Sequence, residues 1–442
     1  MNIGWKDFLV FITFPLGIWF ILGYCAQVDF DLFFMLFLCS FMGYIYLARL
    51  QLNFKSILGF GIVIRLGTLV FFPQLSDDIF RFYWDGLLTI GGVNPYGVLP
   101  SDALLLGIEG VNFGLFEQLN SPDYFTIYPP VAQLVYAMSA FSGSVMTAVI
   151  AMKILFFLVE IIGFRAIVLL LRHTSKPASY AAWYFLNPLV IIEGIGNLHF
   201  EVLMVGVLAW SIYFLIKQRF FSSSVLLAIS IGIKLLPLML LPYLWFYLSG
   251  KVRMIFFGTL TISLLLIFSS LILSFEASSF LNSLDLYFRK FEFNASIYYL
   301  LRYIGIEISG YNLIKYLGPA LGLITLVINV LLAYRLRKST INTYFKYAFM
   351  VWGLYLLLAT TVHPWYIIPL VFLSLFVDTK AAILWSFLAA LSYVNYSGET
   401  YYENLWIVAF EYSLLLAFLI WEFTSRSKDE VLLVAVDIKK SP

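Results

Sequence analysis

Runs of about 20 consecutive apolar residues, the length a helix needs to cross the hydrocarbon of a bilayer, recur along this chain from end to end. They constrain the fold more than any motif does, because in lipid every backbone amide must bond within its own helix or in a closed barrel. Composition agrees: of 442 residues 62% are hydrophobic, 19% aromatic and only 12% charged, whereas a soluble domain carries about 25% charge. The chain is therefore read as an all-α polytopic membrane protein with about 14 transmembrane or re-entrant helices.

Clear apolar runs fall near 8–25, 31–49, 56–72, 145–171, 178–194, 199–217, 254–275, 313–334, 343–361 and 404–424. Shorter or broken pieces are 222–235 and 236–249 around Lys234, Pro237 and Pro242, then 365–378 after Pro364, and 381–395. No small-residue cleavage site follows the first run, which reads as a retained helix. Lysine and arginine beside spans stay cytoplasmic. With alternating crossings, Arg49, Lys55, Arg172, Lys176, Lys217, Arg219, Lys251, Arg253, Arg335 to Lys338, Lys380, Arg426 and Lys428 collect on one side. The opposite, extracytoplasmic side receives a first large loop, 73–144, a second, 276–311, and the polar stretch Asn395–Asn404. One domain over 1–424 is expected, with a short cytoplasmic tail at 425–442. Net charge is +2, too small a field for a nucleic-acid partner. Cys25 and Cys39 lie in apolar runs without metal-ligand spacing.

The most informative run is Ser76–Tyr96, SDDIFRFYWDGLLTIGGVNPY, where Asp77, Asp78 and Asp85 stand beside Arg81 directly after a span. Adjacent carboxylates at a membrane boundary raise one pKa unless a cation or metal neutralises them, which is the setting of a general base or a cation site. The competing reading is that Ser76 and Asp77 cap the helix that follows. Gly91, Gly92, Asn94 and Pro95 end that helix, and Tyr128, Pro129 and Pro130 introduce an apolar stretch to Phe141 that suits an interfacial helix on the outer surface.

This order, acid pair, aromatic run, WDG, NPY and then YPP, resembles the first outer loop of polytopic GT-C glycosyltransferases, closest to the α-mannosyltransferases that use polyprenyl-phosphate mannose. The resemblance implies an essential aspartate at Asp78, with Asp77 its neighbour, and places Arg81, Asp85 and Tyr128 around substrate. It extends to Asn187–Val205, similar to that family's NP…GN.H.D segment, which adds Asn197, His199 and Glu201, with Glu201 standing where the family has aspartate. On one continuous helix His199 and Glu201 face apart, and only a turn brings them together. Lys234 in its broken hairpin suits a lipid phosphate, or else snorkels to the cytoplasm. Arg289 and Lys290, before Phe293, Asn294 and Ser296, are cations among aromatics that suit a donor phosphate or lipid headgroups. His363, Trp365 and Tyr366, in the family's HPWY pattern, suit a phosphate or a sugar face, or an aromatic belt. Arg65 is expected to reach the loop acids, and Lys153, Glu160 and Arg165 to form a structural ion-pair set. Asn294 and Asn395 match the glycosylation sequon and are read as chance matches. In one respect the chain departs from the family pattern: the acid loop follows the third apolar run, as though two helices were added in front.

The implied reaction moves a sugar, mannose by resemblance, from a polyprenyl-phosphate donor to a lipid or glycan hydroxyl outside the cytoplasm. It inverts the anomeric centre, uses Asp78 as base, and needs no obligatory cofactor, with a divalent cation near Asp77 and Asp78 as the alternative neutraliser. The location implied is a bacterial inner membrane. A transporter or lipid flippase is the rival from another class, expected to show inverted repeats and midplane sites. An outer-face glycan polymerase or ligase is the third reading.

Overall fold

The computed structural model describes residues 4–337, 340–398 and 401–440. Lys338, Arg426 and Lys428, used above for orientation, lie outside the residues whose side chains are described. The described chain is helical, with one isolated parallel bridge, Phe293 to Thr361, as its β-type pairing.

Two apolar helices, α1 (Trp5–Tyr24) and α2 (Phe30–Arg49), form an N-terminal hairpin. α3 (Phe54–Thr68) starts where the Asn53 side chain accepts from the Ser56 amide at 3.0 Å. Then come the loop helices α4 (Asp78–Ile90) and α5 (Pro130–Ala140). α6 (Val145–His173) opens on a capping box between Ser144 and Thr147. A π-helical coil, Val190–Gly196, turns by 103° into α7 (Glu201–Ile216). α8 (Phe220–Ile233) packs on α7 and on α9 (Gly250–Ile267). The second half holds α10 (Ala277–Arg289), α11 (Ile297–Ser309), α12 (Ile314–Arg335), α13 (Ile341–Leu358), α14 (Ile368–Ser374), α15 (Ala381–Leu388) and α16 (Leu405–Lys440).

Among the described residues six helices are long and apolar enough to cross a bilayer, or seven if the bent pair is one span. The chain is polytopic. The four segments expected to be short or broken do fold as shorter apolar helices, Phe220–Ile233, Leu236–Tyr247, Pro364–Ser374 and Ala381–Tyr396. α6 and α7 cross closely at two glycines, where a Cβ on Gly163 would lie 2.7 Å from the Gly206 Cα.

Buried charges hold the first half together. Arg65 does not reach the loop acids: its guanidinium grips Glu160 in a bidentate pair, at 2.9 and 3.1 Å, and donates to the Phe185 carbonyl at 3.0 Å. Lys153 joins no ion pair and instead donates to the carbonyls of Thr68 and Phe71 at 3.0 and 2.8 Å, where α3 runs out of helical donors. Arg165 is exposed and outside this set. The expected trio thus resolves into one pair with Arg65 and one cap, because burial lets each charge stand only where geometry satisfies it.

Candidate active site

The acid loop is a packed unit. Asp77 sits at the N-cap of α4 but makes no capping hydrogen bond, so the cap reading fails for its side chain. It keeps an exposed edge, and the protein around it pushes its carboxyl above the ordinary value; burial, not repulsion by Asp78, is the cause. Asp78, one residue on, points differently. Its Oδ1 accepts from Asn120 Nδ2 at 2.7 Å and its Oδ2 lies 3.9 Å from His199 Nδ1, with 20% of the side chain exposed.

Most of the other motif residues build the loop. Arg81 and Asp85 pair at 2.8 Å one helical turn apart. Arg81 also donates to the carbonyls of Ser121 and Tyr124, and Asp85 accepts from Gln133 at 2.8 Å, so the two clamp the loop and α5 onto α4. Both are buried. Gly86 lets the helices touch: a Cβ there would sit 2.4 Å from the Tyr136 carbonyl oxygen. Tyr128 packs edge-on against Phe82 and Tyr136. Leu134, Met138 and Phe141 form an exposed apolar stripe on α5 and at its end, as an interfacial helix requires.

The break between the π-helical coil and α7 brings His199 under Asp78. Leu198 takes a left-handed φ of 64° and the His199 amide donates to the Glu193 carbonyl at 3.0 Å. This turns the imidazole so that Nε2 lies 3.4 Å from Glu193 Oε2 while Nδ1 faces the loop. Glu193 is held in turn by the Tyr393 hydroxyl at 2.7 Å. Asn197 donates to Glu193 at 3.4 Å, and its own Oδ1 is buried without a partner.

Glu201 faces another way, onto Lys234, and the two form an ion pair. Lys234 follows the last turn of α8 in extended backbone, before a 3-10 turn over Leu236–Leu240 reverses the chain. It is therefore the tip of a broken hairpin, and its ammonium lies 5.0 Å above the Tyr366 ring. The snorkelling alternative is overturned, since the ammonium is engaged beside the histidines. Glu201 Oε2 remains a buried oxygen with no partner.

A column of rings forms the far wall. His199 stacks on Trp365 with centroids 3.5 Å apart, and His363 stacks on it at 4.4 Å with planes 5° apart. Two near-parallel imidazoles this close to one indole would overlap on a single face, so they occupy opposite faces. His363 then stacks on Phe293 at 4.7 Å. Neither face of Trp365 is left for a sugar. Burial holds the His199 imidazole below its ordinary 6.5, at about 4, although Asp78 and Glu201 pull it up. Burial, with His199 and Lys234 adding, lowers His363 to about 3. Both rings are neutral near pH 7.

The second loop is stitched to this wall. The Phe293 amide donates to the Thr360 carbonyl at 3.0 Å and the Val362 amide to the Phe293 carbonyl at 2.8 Å. Asn294 is buried and held by Glu403, by Glu411 and by the Tyr412 hydroxyl, which explains the F.FN.S pattern as architecture. Arg289 pairs with Asp285 at 2.6 Å and is partly exposed, and Lys290 is exposed at the end of α10. Asn120, Gln133, Tyr393, Glu403 and Glu411 carry essential contacts yet went unnoticed in the sequence, where each is a single polar residue with no motif around it. Among the described residues no three His, Cys, Asp or Glu side chains converge as a metal-holding group.

Helical spans, an acid-bearing loop and a polar cluster walled by stacked imidazoles and indole define a multi-pass membrane protein. Just under half of the chain is similar to a known family: residues 36–250 match the family model described as Alpha-(1->6)-mannopyranosyltransferase, N-terminal domain. Over 179 residues the chain is 27% identical to Alpha-(1->6)-mannopyranosyltransferase A of Corynebacterium glutamicum, covering 39% of this chain and 34% of that protein. Over 185 residues it is 28% identical to the protein of the same name from Mycobacterium tuberculosis, covering 40% and 34%. The match thus spans about a third of these relatives' length. The resemblance carried by the loop and NP…GN.H segments is borne out, since both lie within 36–250.

Proposed function

We propose that the chain is a hexosyltransferase that moves mannose from a polyprenyl-phosphate donor to a hydroxyl of a glycolipid or glycan acceptor, in a multi-pass setting with its reactive face outside the cytoplasm. The observation that carries this reading is the placement of Asp78 against His199 inside the region matching the mannopyranosyltransferase model. Asp78 is the general base: its carboxylate takes the acceptor proton as the acceptor oxygen attacks the anomeric carbon. One displacement with one base inverts that carbon, and the lipid phosphate leaves with the electron pair of the broken C–O bond.

Lys234 supports the leaving phosphate. Its ammonium is compact, sits at the tip of a broken hairpin, and shares its charge with one buried carboxylate, so an arriving phosphate competes with Glu201 for it. His363 borders the same space with a buried Nδ1 that has no partner. Lys290, exposed beside the second loop, is placed to guide the anionic donor rather than to act on it.

The test is direct. Purified protein in detergent receives polyprenyl-phosphate mannose and a mixture of lipid and saccharide acceptors, and free polyprenyl phosphate is measured. Release by the wild type and none by Asp78→Asn is the expected result. No consumption of mannose, glucose or arabinose donors, together with lipid or solute movement in vesicles, overturns the reading.

A further inference from the structure

Beneath the loop the protein builds a chain of titratable groups that general-base chemistry at one aspartate does not require. Asp78 Oδ2, His199 Nδ1, His199 Nε2, Glu193 Oε2 and, through its other oxygen, the Tyr393 hydroxyl follow one another at 3.9, 3.4 and 2.7 Å across the ring and the second carboxylate. The chain runs from an accessible carboxylate to one that is 1% exposed.

We propose that His199 is a positioning residue for Asp78, an imidazole carried between that acid and Glu193 so that the proton Asp78 receives moves on to the ring. The inference rests on the base role assigned to Asp78 above. Four observations support it. The ring cannot rotate, because Trp365 lies flat against it and a buried turn fixes its backbone. Glu193 accepts from Tyr393 with one oxygen, and the other, which also accepts from Asn197 at 3.4 Å, lies 3.4 Å from the buried Nε2, which makes no hydrogen bond. That arrangement favours the tautomer with hydrogen on Nε2, leaving the Nδ1 lone pair toward Asp78. Asn120, bonded to Asp78 Oδ1, leaves Oδ2 as the oxygen that meets the ring.

The step balances. The acceptor O–H bond breaks and its proton joins Asp78 as the acceptor oxygen bonds to carbon and the phosphate oxygen departs. The proton then passes from Asp78 Oδ2 to His199 Nδ1, and the ring so protonated has Glu193 Oε2 3.4 Å from its Nε2. Asp78 is thereby a carboxylate again while the product is still bound. The charged and titratable groups about the ring are Asp77 and Asp78 from the loop, Glu193 and Tyr393 from below, Tyr396 facing the same carboxylates, Glu201 already tied to Lys234, and His363 beyond the indole.

Trp365 reports on the ring, because an imidazolium stacked on an indole quenches its emission. The emission of the full-length protein in detergent is titrated from pH 8 to pH 3, with that of Trp365→Phe subtracted. The expected result is a transition that vanishes in His199→Gln and whose midpoint falls by about half a pH unit or more in Asp78→Asn. A midpoint unmoved by Asp78→Asn, or a transition that survives His199→Gln and disappears in His363→Gln, overturns the proposal. In the transfer assay His199→Gln is expected to lower kcat about 100-fold with the donor KM unchanged and to alter the acid limb of the rate profile. A uniform fall with the profile intact marks a merely structural ring. Should Asp78→Asn transfer at the wild-type rate while the emission midpoint still moves, the base assignment fails and the coupling of ring to carboxylate stands.

Discussion

The His199 imidazole lies 3.5 Å from the Trp365 indole, centroid to centroid, with their planes 14° apart. One ring comes from the break before α7 and the other from the 3-10 turn that opens onto α14. The contact ties the two halves of the chain together at the pocket, and the protein's own rings fill both faces of the indole. Five expectations follow from this pocket and its supports.

Asp78→Asn keeps the shape of the loop and removes the basic oxygen. Transfer is expected to drop about 1,000-fold, and Asp77→Asn, whose carboxyl engages neither Asn120 nor His199, to drop far less. Rates of polyprenyl phosphate release for the two variants check the assignment, and equal losses would contradict it.

Lys234→Met removes the cation at the hairpin tip and strands Glu201, a buried carboxylate with no second partner. Lower yield and a donor KM about tenfold higher are expected, since a charge-assisted hydrogen bond contributes about 1.5–3 kcal/mol. Adding Glu201→Gln should restore the yield and leave KM high, which separates folding from phosphate binding.

Arg65→Leu alone should be among the most damaging changes in the first half, because it leaves Glu160 charged and buried, at a cost of about 3–5 kcal/mol. Arg65→Leu combined with Glu160→Leu should recover much of the loss. Thermal midpoints in detergent for the two single variants and the double variant test the coupling.

Gly86→Ala places a methyl carbon where the Tyr136 carbonyl already stands. Overpacking of this kind costs about 1–3 kcal/mol, so a lower midpoint is expected. Gly59, with nothing within 4 Å of an added Cβ, provides the contrast: Gly59→Ala should be neutral or stabilise by about 0.5–1 kcal/mol.

Acid should weaken the fold through the two histidines. Unfolded imidazoles take up protons below about 6.5, whereas His199 and His363 do so near 4 and 3 in the native protein. Between these values the unfolded state binds more protons, so stability rises with pH and falls on acidification. The slope is about 1.4 kcal/mol per pH unit for each ring once the pH is well below 6.5. Midpoints at pH 7.5, 6 and 5 for the wild type and His199→Gln isolate the share of one ring, and the substitution should lower the slope by about 1.4 kcal/mol per pH unit. An equal slope in the wild type and in His199→Gln would mean that this ring is solvated.

Much of the site was legible because charge in apolar surroundings is expensive and therefore conspicuous. Asp77, Asp78, His199, Glu201 and Lys234 stood out for that reason, and the family motifs named their order. Partner choice was not legible. Arg65 could be placed near the loop face by its depth in α3, but that it turns sideways to Glu160 depends on how α3 and α6 pack, which no local pattern encodes. Asn120 and Tyr393 are ordinary polar residues until the fold sets them beside carboxylates. The crossings were visible as hydropathy, yet hydropathy does not separate a full span from two short helices meeting at a break. The loop motif alone does not reveal that Arg81 and Asp85 pair with one another and hold α5.

The indole between the two histidines also bears on how such a protein can be recombined. Asp78, His199, Glu201 and Lys234 lie inside the stretch 36–250 shared with the mannopyranosyltransferase model, while Phe293, His363, Trp365 and Tyr393 lie beyond it. A hybrid that took the first stretch and no HPWY turn with it would inherit the acid without the surface that keeps its neighbouring ring flat. The pocket is therefore a joint possession of both halves, and an exchange that respects it must carry the HPWY turn along with the acid loop.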